Sequence, residues 1–108
     1  MKLVIAIVHD EDSSKLVEQL NKNEFRVTKL ASTGGFLKSG NTTLLIGVEK
    51  EKVESVLELV RTTCNTRREI TPSSTLIGEA GGYLSMPFEV TVGGATVFVI
   101  DVEQYMKV

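Results

Sequence analysis

The 108-residue sequence predicts one α+β domain in which two helices lie on one face of an antiparallel sheet. Three observations support this class. Short runs rich in Val and Ile alternate with amphipathic helical segments. Apolar residues make up 42% and charged residues 24%, which is ordinary for a globular chain and unlike a disordered one. Because a chain of this length can bury one core, we expect a single domain over residues 1–108.

The first strand and the first helix are predicted from adjacent patterns. Leu3 to Val8 is a continuous apolar run of strand length, typical of a central strand. Residues 9–14 supply the acidic and hydroxyl side chains that favour a helix start, with Asp or Ser as the cap. The helix continues to 21–23, and its apolar residues recur at helical spacing at Leu16, Val17 and Leu20.

Two further strands follow this helix. The second strand is predicted over Phe25 to Leu30, where alternation places Arg26 and Thr28 on one face and Val27 on the other. A glycine-rich connection then leads to a third strand, predicted over Thr42 to Val48. This order gives the first β-α-β unit and the start of the second.

The second helix carries the most regular apolar pattern in the chain. It opens with the charged residues 49–52, and its apolar side chains recur at Val53, Val56, Leu57, Val60 and Cys64. Residues from Asn65 to Met86 are rich in Thr, Ser and Gly and predict a long loop, in which Arg67 and Arg68 are interpreted as solvated charges.

The last part of the chain predicts a hairpin. Phe88 to Val92 and Ala95 to Val102 are its strands, and Gly93-Gly94 is its two-residue turn. Two β-α-β units and an extra strand match the split β-α-β, ferredoxin-like arrangement. With both helices on one face of the sheet, the opposite face stays uncovered although its strands are apolar, so we expect self-association.

Composition excludes several function classes. The net charge of −2 argues against binding of polymeric nucleic acid, which needs a basic surplus. One Cys and one His provide neither a disulfide nor a metal cluster, and Cys64 is interpreted as a small buried apolar residue. No catalytic constellation is visible, so we expect no enzyme and no cofactor. No apolar run could span a membrane, and we expect a cytoplasmic protein.

The glycine-rich connection before the third strand is the candidate binding segment. Its adjacent glycines, Gly34 and Gly35, allow close backbone approach to an anion, and Phe36 and Leu37 can pack on a flat ring. The Asn41 amide can match adenine. Arg26 and Thr28 can hold a phosphate from the neighbouring strand. On these residues alone, a structural turn with Phe36 on the core and Arg26 paired to a surface Glu stays an open alternative.

Two strings of the sequence go beyond a generic glycine motif. Residues 28–43, TKLASTGGFLKSGNTT, and residues 93–99, GGATVFV, closely resemble the PII-like cyclic-di-AMP receptor family. The resemblance covers essentially the whole chain. It implies a PII-like, ferredoxin-like subunit in a homotrimer that binds cyclic-di-AMP between neighbouring subunits without turnover and signals to a downstream protein that the sequence does not identify.

The resemblance also implies a set of ligand-binding residues. Arg26, Val27 and Thr28 would contact the ligand from the second strand, while Phe36 and Leu37 would pack against adenine and Asn41 would hydrogen bond to its edge. The remaining members of the expected site, most of which would leave room for the nucleotide, are Gly35, Gly47, Gly93, Gly94 and Phe98.

Two alternatives stay open beside this expectation. An ordinary PII-type sensor of ATP or ADP is one, although a triphosphate needs more cations than Arg26, Lys29 and Lys38 provide near the connection. The other is a trimeric scaffold that binds no small ligand.

Overall fold

The computed structural model describes residues 1–30, 40–71 and 88–108. Within them the chain forms six strands and two α-helices. The elements in order are β1 Lys2–His9, α1 Asp10–Lys22, β2 Val27–Leu30, β3 Asn41–Val48, a 3-10 turn Lys50–Lys52, α2 Val53–Cys64, β4 Arg67–Thr71, β5 Phe88–Val92 and β6 Ala95–Asp101.

Four of the strands form one antiparallel sheet in the order β2-β3-β1-β6. This sheet with two crossover helices is a small α+β, ferredoxin-like arrangement, as the sequence predicts. The register places Ala6 of β1 between Leu44 of β3 and Val97 of β6. Because side chains alternate along a strand, this register decides which residues share each face.

Both helices pack on the same face of the sheet. On β1 that face carries the buried side chains of Val4, Ala6 and Val8, which meet Leu16 and Leu20 of α1 in the core cluster. The predicted apolar stripe of α2 is confirmed, since its Val56, Val60 and Cys64 are buried there too. Each large side chain buried in this way stabilises the fold by roughly 1.5–3 kcal/mol.

The opposite face of the sheet, here called the open face, is apolar and accessible. It carries Leu3, Ile5 and Ile7 of β1, which alternate with the core residues and are only partly buried. At its two edges Leu30, Phe98 and Ile100 are 42%, 53% and 46% exposed. No element packs on this face within the three described segments. The expectation of an uncovered apolar sheet face is therefore met by that part of the chain.

The predicted hairpin at the end of the chain is wrong. Phe88–Val92 does not pair with Ala95–Asp101; β5 pairs with β4 in a separate two-stranded sheet, and β6 pairs with β1. The prediction of a loop from Asn65 to Met86 is also wrong at its start, because Arg67–Thr71 is a strand. We call the two-stranded sheet the β4–β5 ribbon. It is inserted between α2 and β6, so β6 completes the second β-α-β unit.

Two element boundaries differ from the sequence prediction. Strand β2 begins at Val27, because the preceding Phe25 is buried and its backbone N–H donates to the Leu20 carbonyl at 2.9 Å. Helix α1 begins at Asp10 after His9, and no side chain caps it, so the expected Asp or Ser cap is absent. The acidic residues of the first turn still favour the helix through its dipole.

Candidate functional site

One end of the four-stranded sheet holds a pocket of about 330 Å³. It brings together three residues predicted from the sequence, Asn41, Gly93 and Gly94. Asn41 starts β3 directly opposite His9, the last residue of β1. The pocket, here called the glycine pocket, is lined by Ile7, His9, Asn41, Thr66, Gly93, Gly94, Ala95 and Thr96. Its polar groups and its open mouth suit a small polar ligand better than an apolar one.

Glycine is required at one wall of this pocket. Gly93 and Gly94 have φ values of +83° and +88°, which residues with a side chain rarely adopt. A Cβ on Gly93 would collide with the carbonyl oxygen of Asn65 and would lie 2.7 Å from Nη1 of Arg67. The N–H of Gly94 donates to the Cys64 carbonyl at 2.5 Å. These two glycines therefore let the chain pass from β5 to β6 against the end of α2.

The Arg67 side chain departs from the sequence interpretation. Arg67 is not a solvated loop charge; its Nη2 donates to Oδ1 of Asp12 at 2.8 Å, and its Nη1 donates to the Asn65 carbonyl at 3.1 Å. The Asp12 side chain is 5% exposed and that of Arg67 is 33% exposed. Sequence analysis missed the role of Asp12, since an acid near a helix start is explained by the dipole alone.

The start of β3 is tied to the same helix turn. The Asp10 N–H donates to the Gly40 carbonyl at 2.7 Å, and the Thr42 hydroxyl donates to Oδ1 of Asp10 at 2.5 Å. Asn41 lies between Gly40 and Thr42, and its side chain is on the open face, opposite to the buried Thr42. The first turn of α1 thus fixes the backbone from which Asn41 lines the glycine pocket.

A second group of predicted residues lies at the β2 edge of the open face. Thr28 pairs with Leu45, and Gly47 pairs with Leu3. Arg26 directly precedes β2 and is exposed, and it forms no ion pair with any side chain that the structure describes. The open alternative of an Arg26–Glu surface pair therefore has no support among the side chains that the structure describes, which are those of residues 1–30, 40–67 and 91–108.

The side chain of Val27 lies on the other face of the sheet. Val27 pairs with Ile46 and packs against the core beneath the helices. It is separated from Arg26 and Thr28 by the alternation of the strand. Its side chain therefore lies on the opposite side of the sheet from that of Thr28.

Phe98 lies at the opposite edge of the same open face. It pairs with Ile5 on β6 and is 53% exposed. Three strand spacings separate β6 from β2, about 14 Å. Apart from Val27, the predicted residues that the structure describes therefore lie at both edges and at one end of the open face, not in one pocket of one chain. Three predicted residues, Gly35, Phe36 and Leu37, lie outside the described residues.

A larger groove of about 510 Å³ lies between α2 and β6, on the helix side of the sheet. Cys64 is at its base and is buried, as the sequence predicts for a small apolar side chain. Burial raises the pKa of the Cys64 thiol to about 11, and the charge of Asp12 adds to the increase while Arg67 opposes it. A thiol held neutral in this way is a poor nucleophile.

The described part of the chain contains no cluster of three or more His, Cys, Asp or Glu side chains that could hold a metal ion. Among the same residues, no helix has the length and apolar character needed to cross a membrane.

Comparisons with known proteins agree with the sequence resemblance. A family model described as "Cyclic-di-AMP receptor" matches residues 1–108. Among solved structures, the chain is similar to a functionally unknown protein from Pediococcus pentosaceus ATCC 25745. The two share 44% sequence identity and a TM-score of 0.80, over 99% of this chain and 96% of that one.

Proposed function

The chain belongs to the cyclic-di-AMP receptor family, and on that premise we propose that it binds cyclic-di-AMP at the subunit interfaces of a homotrimer. The match over residues 1–108 is the observation on which the proposal depends. In this proposal the protein is a single-domain cytoplasmic receptor that needs no cofactor and releases its ligand unchanged.

The apolar open face supports an assembly. Partly exposed Leu3, Ile5 and Ile7 adjoin Phe98 and Ile100, which are about half exposed. A continuous apolar sheet face of this kind is unusual on a monomer and is stabilised when another subunit covers it. Three open faces that meet around an axis would remove the apolar side chains from water.

The spread of the expected ligand residues supports a site between subunits. Arg26 and Thr28 lie at the β2 edge, whereas Phe98 lies at the β6 edge about 14 Å away. Apposition of the β2 edge of one protomer with the β6 edge of the next would complete one site from two half-sites. The space above Gly47 is open, as a ligand at this site would need. Among the described residues, a Cβ on Gly47 would contact only Met1 Sδ, at an ordinary distance of 3.7 Å.

The chemistry of the ligand matches the residue types. Cyclic-di-AMP carries two phosphates and two adenines, so it needs cationic or hydroxyl donors, flat apolar surfaces and amide groups. In our proposal the Arg26 guanidinium and the Thr28 hydroxyl hold phosphate. Asn41 hydrogen bonds to an adenine edge, and Phe36, Leu37 and Phe98 pack against the rings.

Signalling then requires that the bound and free states differ. The ligand would favour one arrangement of the 31–39 connection and of the segment between β4 and β5, and a downstream protein would bind that arrangement. The ligand can shift this equilibrium only by its difference in affinity for the two arrangements.

Isothermal titration of the purified chain with cyclic-di-AMP tests the proposal. We expect one ligand per chain, a mass in sedimentation near three times the 11.8 kDa of one chain, and intact ligand on chromatography after incubation. ATP and cyclic-di-GMP are the control ligands and should bind at least about tenfold more weakly, because ATP differs in the number and placement of its phosphates and cyclic-di-GMP differs in the edge of its bases. No heat with cyclic-di-AMP, or tighter binding of ATP, would refute the proposed ligand.

A further inference from the structure

The first turn of α1 holds two segments that are distant in sequence. Asp10 accepts from Thr42 and donates its N–H to Gly40, which fixes the start of β3. Asp12, two residues later, accepts from Arg67 at the start of β4. One helical turn is thus bonded both to the strand that carries Asn41 and to the base of the β4–β5 ribbon.

The ribbon is a sheet of its own. Its strands pair with each other, beginning with Arg67 opposite Val92, and they do not join the four-stranded sheet. The chain enters it from Cys64 and leaves it through Gly93-Gly94, where Gly94 donates to the Cys64 carbonyl. Arg67 therefore stands at the junction between the ribbon and the body of the domain.

The Arg67 guanidinium also packs against the wall of the glycine pocket. Nη1 lies 2.7 Å from the position that a Cβ of Gly93 would occupy, and it donates to the Asn65 carbonyl. The guanidinium is consequently held between the Asp12 carboxylate and the Gly93 backbone. A shift of Gly93 must be accommodated by Arg67, and loss of the Asp12 contact removes one of the bonds that hold the guanidinium in this position.

We propose that the Asp12–Arg67 ion pair positions the Gly93-Gly94 wall of the glycine pocket and couples occupancy of that pocket to the β4–β5 ribbon. Asp12 and Arg67 are positioning residues in this inference and do not contact the ligand. The coupling rests on the proposed binding of cyclic-di-AMP. The other part of the inference, that the ion pair anchors the base of the ribbon to α1, does not depend on any ligand.

Hydrogen exchange of the ligand-free protein tests the anchoring. The variants are Asp12→Asn, Arg67→Lys and the double variant, with Arg61→Lys as the matched control, because Arg61 forms exposed pairs with Glu58 and Glu54 on α2. We expect the backbone amides of 67–71 and 88–92 to exchange at least about tenfold faster in the first three proteins. Amides of β1 and β3 and the whole control should keep wild-type rates. Wild-type exchange in the ribbon of both single variants would overturn the inference.

Titration with cyclic-di-AMP, repeated with exchange measurements, tests the coupling. We expect wild-type ribbon amides to slow when the ligand binds. In Asp12→Asn and Arg67→Lys we expect about three- to tenfold weaker binding and no such slowing, with a double variant no weaker than either single one. Wild-type affinity together with retained slowing would overturn the coupling. Absence of binding by the wild type would instead refute the proposed function and the coupling with it, while the ligand-free exchange would still decide the anchoring.

Discussion

Asp12 and Arg67 are 55 residues apart in the sequence, yet Oδ1 of the first accepts a hydrogen bond from Nη2 of the second at 2.8 Å. The Asp12 side chain is almost wholly buried, and the Arg67 side chain is about two-thirds buried. If one partner were removed, water could therefore solvate Arg67 more easily than it could solvate Asp12.

Removal of either partner should have unequal effects on stability. Arg67→Met leaves a buried carboxylate without its cation and should lower the free energy of unfolding by about 2–4 kcal/mol. Asp12→Asn leaves Arg67, which water can reach, and should cost about 1 kcal/mol. Urea unfolding at one fixed chain concentration measures both. Equal losses would show that the carboxylate is hydrated when Arg67 is absent.

Arg26→Ala should weaken binding of cyclic-di-AMP by about 10- to 100-fold, because a charge-assisted hydrogen bond contributes roughly 1.5–3 kcal/mol. Lys29→Ala is the matched control. Lys29 is also an exposed cation on the β2 edge, but it pairs with Leu44 and so lies on the other face from Thr28. Isothermal titration measures both variants. An unchanged affinity in Arg26→Ala would remove Arg26 from the site.

A charge on the open face should break the assembly. Ile100→Glu places a carboxylate among the apolar side chains that the proposed trimer covers, so we expect chains that sediment as monomers. Val99→Glu is the control: it is the adjacent residue, it is 42% exposed against 46% for Ile100, and it lies on the helix side. Analytical ultracentrifugation separates the two results. The same mass for both variants would argue against an interface on the open face.

Gly93→Ala should destabilise the protein more than Gly40→Ala. Both glycines have a positive φ, so both substitutions carry backbone strain of about 1 kcal/mol. Only at Gly93 does the new Cβ meet Asn65 and Arg67, whereas at Gly40 nothing in the described segments lies within 4 Å. Thermal unfolding should show that Gly93→Ala lowers the free energy of unfolding by about 1–3 kcal/mol more than Gly40→Ala does. Similar melting temperatures for the two variants would mean that the backbone at Gly93 moves to accommodate the new Cβ without loss of stability.

The Cys64 thiol should be unreactive in the folded protein. Its pKa of about 11, against 9.0 for an ordinary thiol, reduces the thiolate fraction at pH 8 by about a hundredfold, and burial slows reagent access further. The raised pKa also lowers stability as pH rises from 9 to 11, because the unfolded chain ionises first. A thiol reagent at pH 8 and unfolding at pH 8 and 10 measure these effects. Cys64→Ala should lose the thiol-dependent part of the pH response.

Local patterns were sufficient for most of the sheet and for both helices. The alternation around Thr28 separates it from Val27, and the spacing of Val56, Val60 and Cys64 marks the buried side of α2. These assignments need only the periodicity of strands and helices. The same alternation of residues along the strands predicts, from the sequence alone, that the open face is apolar.

Apart from the start of β2 and the cap of α1, the errors concern partners that are distant in sequence. Gly93-Gly94 suits a tight turn, but β6 pairs with β1, where its Val97 packs against the core, and that contact joins the two ends of the sequence. Strand β4, with the sequence RREIT, lacks the apolar alternation that predicts a strand and is specified by its pairing with β5. No local signal connects Asp12 to Arg67.

The first and last strands of the described chain, β1 and β6, are neighbours in the sheet. The N–H of Val102 donates to the Met1 carbonyl, and Lys2 is bonded to Asp101. A peptide that joined the segment after Val102 to Met1 would therefore close the backbone into a ring on one side of the sheet. A circularly permuted version, opened in the turn between Asn23 and Glu24, should keep the same sheet order from a different starting residue.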